Sequence, residues 1–176
     1  MNPDAAADWE TRIAAVWKIA DTLTPQELVR TVDALASERP ADDASALFER
    51  ACARDTAGLE HDAEPLYRAA LASAALDAFR QARASLQLGS TLRHLGRLDE
   101  SEALLLAQLE RCRAAGPGAP LHDEARALLA FTWIAQGRAV EAAALALETL
   151  APHLSRYQRS TAANARALRG PARDAG

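Results

Sequence analysis

The sequence predicts an all-α fold of about nine helices arranged as antiparallel hairpins. Three observations carry that prediction. Apolar residues make up 49% of the 176-residue chain and aromatics only 5%, so Ala and Leu, both strong helix formers, supply most of the apolar content. Val, Ile, Tyr and Phe, which favour strands, are scarce. One pattern returns three times around a glycine, at Gly58, Gly96 and Gly137, which are 38 and 41 residues apart. A period of that size marks stacked helical hairpins, each hairpin burying the apolar face of its neighbour. The length suffices for one domain with a sizeable core.

Taken in order, Asp4 to Ala20 carries Trp9, Ile13, Val16, Trp17 and Ile19 at spacings that put most of them on one helical stripe. The two tryptophans read as core anchors. Thr24-Pro25-Gln26-Glu27 opens a second helix: Thr24 caps it, Pro25 suits its first position and Glu27 reaches back in a capping box. Its apolar face is Leu28, Val32 and Leu35, and Pro40 ends this hairpin. Three helix pairs follow, each hinged at one glycine, over about 43–74, 77–115 and 120–151, with Gly116-Pro117-Gly118 as the clearest interior break. Pro152 closes the third pair, and a last helix over about 154–168 caps the end. The expected organisation is a hairpin over 1–39 packing on the repeats, three helix pairs over 40–151, a capping helix over 152–168, and a tail over 169–176 too poor in apolar residues to fold.

Each glycine sits between two helices, where a left-handed backbone is often needed. Relative to it, the residue seven before is small (Ala51, Gly89, Ala130), and so is the residue five after (Ala63, Ser101, Ala142). Small residues at both places let facing helices approach, and a larger side chain would overpack the contact by about 1–3 kcal/mol. Four after the glycine stands an acid (Asp62, Glu100, Glu141), which complements the dipole of the second helix. Leucines eight and thirteen after it (Leu66, Leu104, Leu145; Leu71, Leu109, Leu150) are expected to flank the inner face of that helix.

This pattern resembles the tetratricopeptide repeat. The first unit matches at Ala51, Gly58, Ala63, Tyr67, Ala70 and Leu71, the second at Leu88, Gly89, Leu92 and Gly96, and the third at Leu129, Ala130, Trp133, Gly137, Ala142 and Leu150. Arg50 and Arg54 stand where the pattern has Leu and an aromatic, and Ser101, Gln108 and Thr149 replace alanines. Through ALFERACARDTAG, EPLYRAAL and GSTLRHLGRLDES the chain also resembles a bacterial family of short, stand-alone tetratricopeptide-repeat proteins. The resemblance implies a right-handed superhelix whose first helices line a concave groove that binds a protein or peptide. Carried over position by position, that groove is lined by Ser45, Phe48, Cys52 and Asp55, then Arg83, Leu86, Ser90, Arg93 and His94, then Glu124, Ala127, Phe131 and Ile134. An apolar floor from Phe48, Leu86 and Phe131 with Arg83, Arg93 and His94 at the centre suits an acidic peptide or a C-terminal carboxylate.

Other chemistries find little support. The net charge of −4 argues against bulk binding of nucleic acid. No two of His61, His94, His122 and His153 stand at helical metal-ligand spacing, so neither metal nor cofactor is expected. Ser90 and His94 are adjacent on one helix but lack an oxyanion loop, and no GxGxxG or GK[ST] occurs, so no enzyme is expected. Cys52 and Cys112 form no CxxC and read as reduced buried thiols of a cytoplasmic protein. The N-terminus MNPDAAADWE is acidic where a signal peptide is basic, and no apolar run is long enough to span a membrane. The expected function is a non-catalytic interaction scaffold. Two alternatives stand beside it: a homo-oligomer using Trp9 and Trp17, and a ligand sensor or enzyme with a pocket between the N-terminal hairpin and the repeats.

Overall fold

The computed structural model describes residues 3–169. Among these residues it contains nine α-helices and no strand: α1 (Pro3–Lys18), α2 (Pro25–Ala36), α3 (Ala44–Thr56), α4 (Glu60–Ala72), α5 (Ala78–His94), α6 (Leu98–Ala115), α7 (His122–Ala135), α8 (Ala139–Leu150) and α9 (Gln158–Leu168). Short 3-10 turns at Ala20–Thr22 and Ala151–His153 follow α1 and α8. The chain divides into two compact units between Thr91 and Leu92.

In the first unit α1 packs on α2, α2 on α3, and α3 on α4. Trp9, Ile13 and Val16 of α1 close over Leu28, Val32 and Leu35 of α2, and Ala46 and Ala53 of α3 complete the cluster. The buried Trp9 indole donates to the Leu35 carbonyl at 2.8 Å, and the Arg39 guanidinium lies over its ring at 4.3 Å. Ile19 falls off the stripe and is exposed, because α1 ends at Lys18 and the chain turns there. The capping box forms as read: Thr24 Oγ1 accepts from the Glu27 amide at 3.3 Å, and Glu27 Oε2 accepts from the Thr24 amide at 2.9 Å. The two arginines that depart from the repeat pattern have a partner. Arg54 grips Asp33 of α2 with both terminal nitrogens at 2.9 Å, and Arg50 Nε adds a third bond at 2.9 Å. A polar clamp therefore holds α3 to α2 where a repeat partner would present apolar side chains.

Burial pushes the Asp33 carboxyl up, but the hydrogen bonds from Arg54 and Arg50 outweigh it and hold the group below its ordinary value. A depressed carboxyl contributes stability above its unfolded pKa of about 3.9 and loses it as pH falls through the folded value. Asp33→Asn is expected to cost roughly 1–2 kcal/mol at pH 7, between the worth of an exposed pair and that of a buried one. Its deficit against the parent should shrink as pH drops below about 4. Urea unfolding at both pH values measures this, and a deficit independent of pH contradicts the clamp.

In the second unit α6 packs on α7, α7 on α8 and α8 on α9. Ser101 and Thr132 are both fully buried and hydrogen-bond each other at 2.9 Å, so the serine that replaces an alanine finds a dedicated partner on α7. Glu102 gathers the turn between α7 and α8, accepting from Trp133 Nε1 at 2.7 Å and from Gln136 and Arg138 at 2.8 Å. At all three hinges the glycine is left-handed, with φ of 72°, 75° and 81°. The next amide then donates to the carbonyl five residues back: Leu59 to Arg54 and Arg97 to Leu92 at 2.9 Å, Arg138 to Trp133 at 2.8 Å. This is the bond of a Schellman closure, which an L side chain would strain.

Several expectations need correction. Of the leucines eight and thirteen after each glycine, expected to flank the inner face, Leu145 is buried within it and Leu150 lies outside it. Leu150 is exposed, and Leu66, Leu71, Leu104 and Leu109 are half-buried. The face that packs is Ala63, Tyr67 and Ala70 on α4 and Ser101, Leu105, Gln108 and Cys112 on α6, at spacings of three and four. On α8 it rotates to Ala142, Ala144 and Leu145. Pro152 does not simply end the third pair: it lies inside the 3-10 turn, and the last helix starts only at Gln158, after a left-handed Tyr157. Of the expected tail, Arg169 pairs with Glu148 at 3.0 Å, while 170–176 lie outside the described residues.

Candidate functional site

The positions proposed for the groove have different environments in the two units. In the first, α3 directs Phe48 and Cys52 inward. Both are buried, and Leu86 on α5 is 5% exposed. Phe48 meets the buried Tyr67 ring at 6.3 Å. Cys52 Sγ contacts Gln87 Oε1 at 3.2 Å. Burial, with help from the Glu49 charge, pushes its thiol up to about 12, so it is no nucleophile at neutral pH. Phe48, Cys52 and Leu86 therefore belong to the core and cannot touch a partner, which corrects the sequence reading. The repeat spacing identifies their position on the helix but not the depth of the helices around them. Ser45 and Asp55 are half-buried, and Asp55 accepts from Thr91 Oγ1 at 2.9 Å.

Arg83, half-buried on α5, lies over the Phe48 ring at 5.2 Å and makes no ion pair among the described residues. It also lines a cleft of about 470 Å³ with Glu10, Ile13, Ala14, Trp17, Lys18 and Glu49. The wall of this cleft is a network that sequence reasoning missed. Glu49 is 3% exposed; it accepts from Trp17 Nε1 at 2.7 Å and from Arg80, which also pairs with Glu10. Burial pushes the Glu49 carboxyl up, and these bonds offset only part of that. The available signal was an acid inside the apolar stripe of α3.

In the second unit the same positions stand open. Glu124, Ala127, Phe131 and Ile134 form an exposed stripe on α7, with Phe131 at 55% and Ile134 at 54% exposure. Behind it, Ala125, Leu129, Ala130 and Thr132 are buried, so α7 is anchored by one face and presents the other. The half-buried Arg93 guanidinium lies 5.7 Å over the Phe131 ring, and its Nη2 donates to His94 Nε2 at 2.8 Å. His94 is thus spent on Arg93, and Ser90 is half-buried. The second unit also holds a recess of about 630 Å³ at the Gly116–Gly118 loop, lined by Cys112, His122 and Asp123. Asp123 takes one bond from each of His122 and His153 at 3.0 Å. Among the described residues no cluster of His, Cys, Asp or Glu has the arrangement to hold a metal ion, and no helix is long and apolar enough to cross a membrane.

Helical pairs joined at left-handed glycines, small residues at the pair contact and an open face on a first helix all belong to one repeat type. Residues 44–168 match the family described as Tetratrico peptide repeat. No curated protein and no solved structure matches the chain. With the matched segment spanning α3 through α9, the chain belongs to the tetratricopeptide-repeat family, a helical scaffold for protein–protein interaction.

Proposed function

We propose that the protein is a non-catalytic adaptor of the cytoplasm that binds an acidic peptide or partner segment on the first helices of its repeats. The observation that carries this reading is the α7 stripe. Phe131 and Ile134 are more than half exposed on a helix whose other face is locked in the core, and a guanidinium is stacked on the Phe131 ring. A large apolar side chain held rigidly in solvent beside a cation is the composition of an interface anchor. In the first unit Arg83 offers a second cation beside an aromatic ring. Two buried, unpaired thiols, Cys52 and Cys112, accord with a reducing compartment.

The test compares capture by the parent protein with capture by Phe131→Asp and by Arg83→Ala/Arg93→Ala. A partner retained by the parent should be lost with Phe131→Asp. With the arginine pair it should bind several-fold more weakly, as expected when charged contacts to an acidic ligand are removed. A partner held equally by all three proteins sinks the assignment. Self-association through the tryptophans draws no support from the indoles, since Trp9 is 3% exposed and Trp17 is half-buried on Glu49.

A further inference from the structure

From Thr149 to Arg169 the sequence contains no acidic residue and four arginines, within a chain whose net charge is −4. Elsewhere arginines find carboxylates: Arg12, Arg54, Arg80, Arg126 and Arg138 each do. Among the described residues of this end only Arg169 does so, through Glu148, which Arg126 already holds at 3.1 Å. Arg156, Arg159 and Arg166 make no ion pair among the described residues, and all three are exposed.

The charges border an apolar recess. Ala151 and Pro152 of the 3-10 turn and Ala162 of α9 line a recess of about 400 Å³ together with Gln158, Arg159, Arg166 and Glu148, whose carboxylate is already held by Arg126 and Arg169. The Gln158 amide is fixed there by bonds to the Pro152 and Leu154 carbonyls at 2.9 and 2.8 Å. Only Ala165 of α9 is buried, and Leu150 and Leu168 stand about half exposed nearby in the chain. Arg159 and Arg166 are two turns apart on one side of the helix, separated by roughly 10 Å at 1.5 Å per residue.

We propose that this C-terminal end of the second unit is a docking surface for an acidic, amphipathic polypeptide segment, distinct from the α7 stripe. An aliphatic side chain of the guest enters the recess, and carboxylates flanking it meet Arg159 and Arg166. A guest helix with glutamates seven residues apart spans the same distance as the two arginines. The apolar walls between the cations favour a polypeptide over nucleic acid, whose binding relies on a continuous basic track.

Fluorescence anisotropy with the labelled peptide EALLEAAEALLEAAE tests the proposal on the full chain. Arg159→Glu/Arg166→Glu should weaken its binding by about tenfold or more, and Arg159→Gln/Arg166→Gln by roughly threefold. Arg30→Glu, an exposed change on α2, should leave it within about twofold. The leucine-free EAAAEAAEAAAEAAE should bind markedly more weakly than the parent peptide. The proposal is overturned by no binding of the peptide, by equal binding of the two peptides, by tighter binding of a single-stranded DNA of similar length that the same variants abolish, or by a dimer in sedimentation that Arg159→Glu/Arg166→Glu dissolves. Binding that Arg159→Glu/Arg166→Glu leaves within about twofold of the parent places the peptide on another surface and likewise overturns the proposal.

Discussion

Phe48→Ala is expected to destabilise the protein by about 3–5 kcal/mol, while Phe131→Ala changes stability by less than about 0.5 kcal/mol. Phe48 and Phe131 are the same residue type on the first helices of two repeats, and both are assigned to one groove by the resemblance. The difference lies in their surroundings. Phe48 is fully buried against Tyr67, beneath the Arg83 guanidinium. Its loss leaves a cavity that α3 and α4 cannot close without moving small-residue contacts such as Ala51 and Ala63, both fully buried. Phe131 surrenders little on truncation, because more than half of its ring already faces water. Its expected cost is in partner affinity, where an exposed aromatic anchor is worth about 2 kcal/mol or more. Urea unfolding and partner capture on both variants separate the two roles. A marginal stability loss for Phe48→Ala contradicts the packing described for the first unit.

Trp9→Ala should cost about 3–5 kcal/mol, and Trp9→Phe about 1–2 kcal/mol. The indole combines three interactions. It fills the cluster between α1 and α2, donates to the Leu35 carbonyl at the end of α2, and carries the Arg39 guanidinium on its face. Phenylalanine keeps part of the volume and the cation–π contact but leaves the Leu35 carbonyl without its indole donor. The alanine variant also loses the ring under Arg39, which keeps its ion pair to Asp43 at 3.1 Å. Thermal and urea unfolding of the three proteins check the order. Equal losses for Phe and Ala mean that the hydrogen bond, and not the volume, holds α1.

Much of the local structure was readable in advance because its causes are local. Thr24, Pro25 and Glu27 make a capping box from three neighbouring residues, and Gly58, Gly96 and Gly137 adopt the backbone that only glycine takes cheaply. Leu28, Val32 and Leu35 share a face by spacing alone and are buried as expected. The site was read less well. The resemblance placed Phe48, Cys52 and Leu86 with Phe131 and Ile134 in the lining of one groove, yet the first three are core and the last two face solvent. Arg50 and Arg54 looked like defects in a repeat and are the ligands of Asp33. Glu49 and Trp17 pair across 32 residues, a contact that no local pattern announces.

The sequence by itself determined the helical hairpins, their glycine hinges and the family, because propensity, capping and the left-handed turn depend on a few adjacent residues. Only the tertiary structure decided which of the repeated positions are available. Burial depends on what packs over a residue from distant parts of the chain, and α1 and α2, which lie outside the matched repeat segment, supply contacts to the first unit such as Trp17 on Glu49 and Asp33 on Arg50 and Arg54. The open face of α7 and the arginines of α9 have the same origin: among the described residues of their unit, no helix packs over the first and no carboxylate pairs with Arg159 or Arg166.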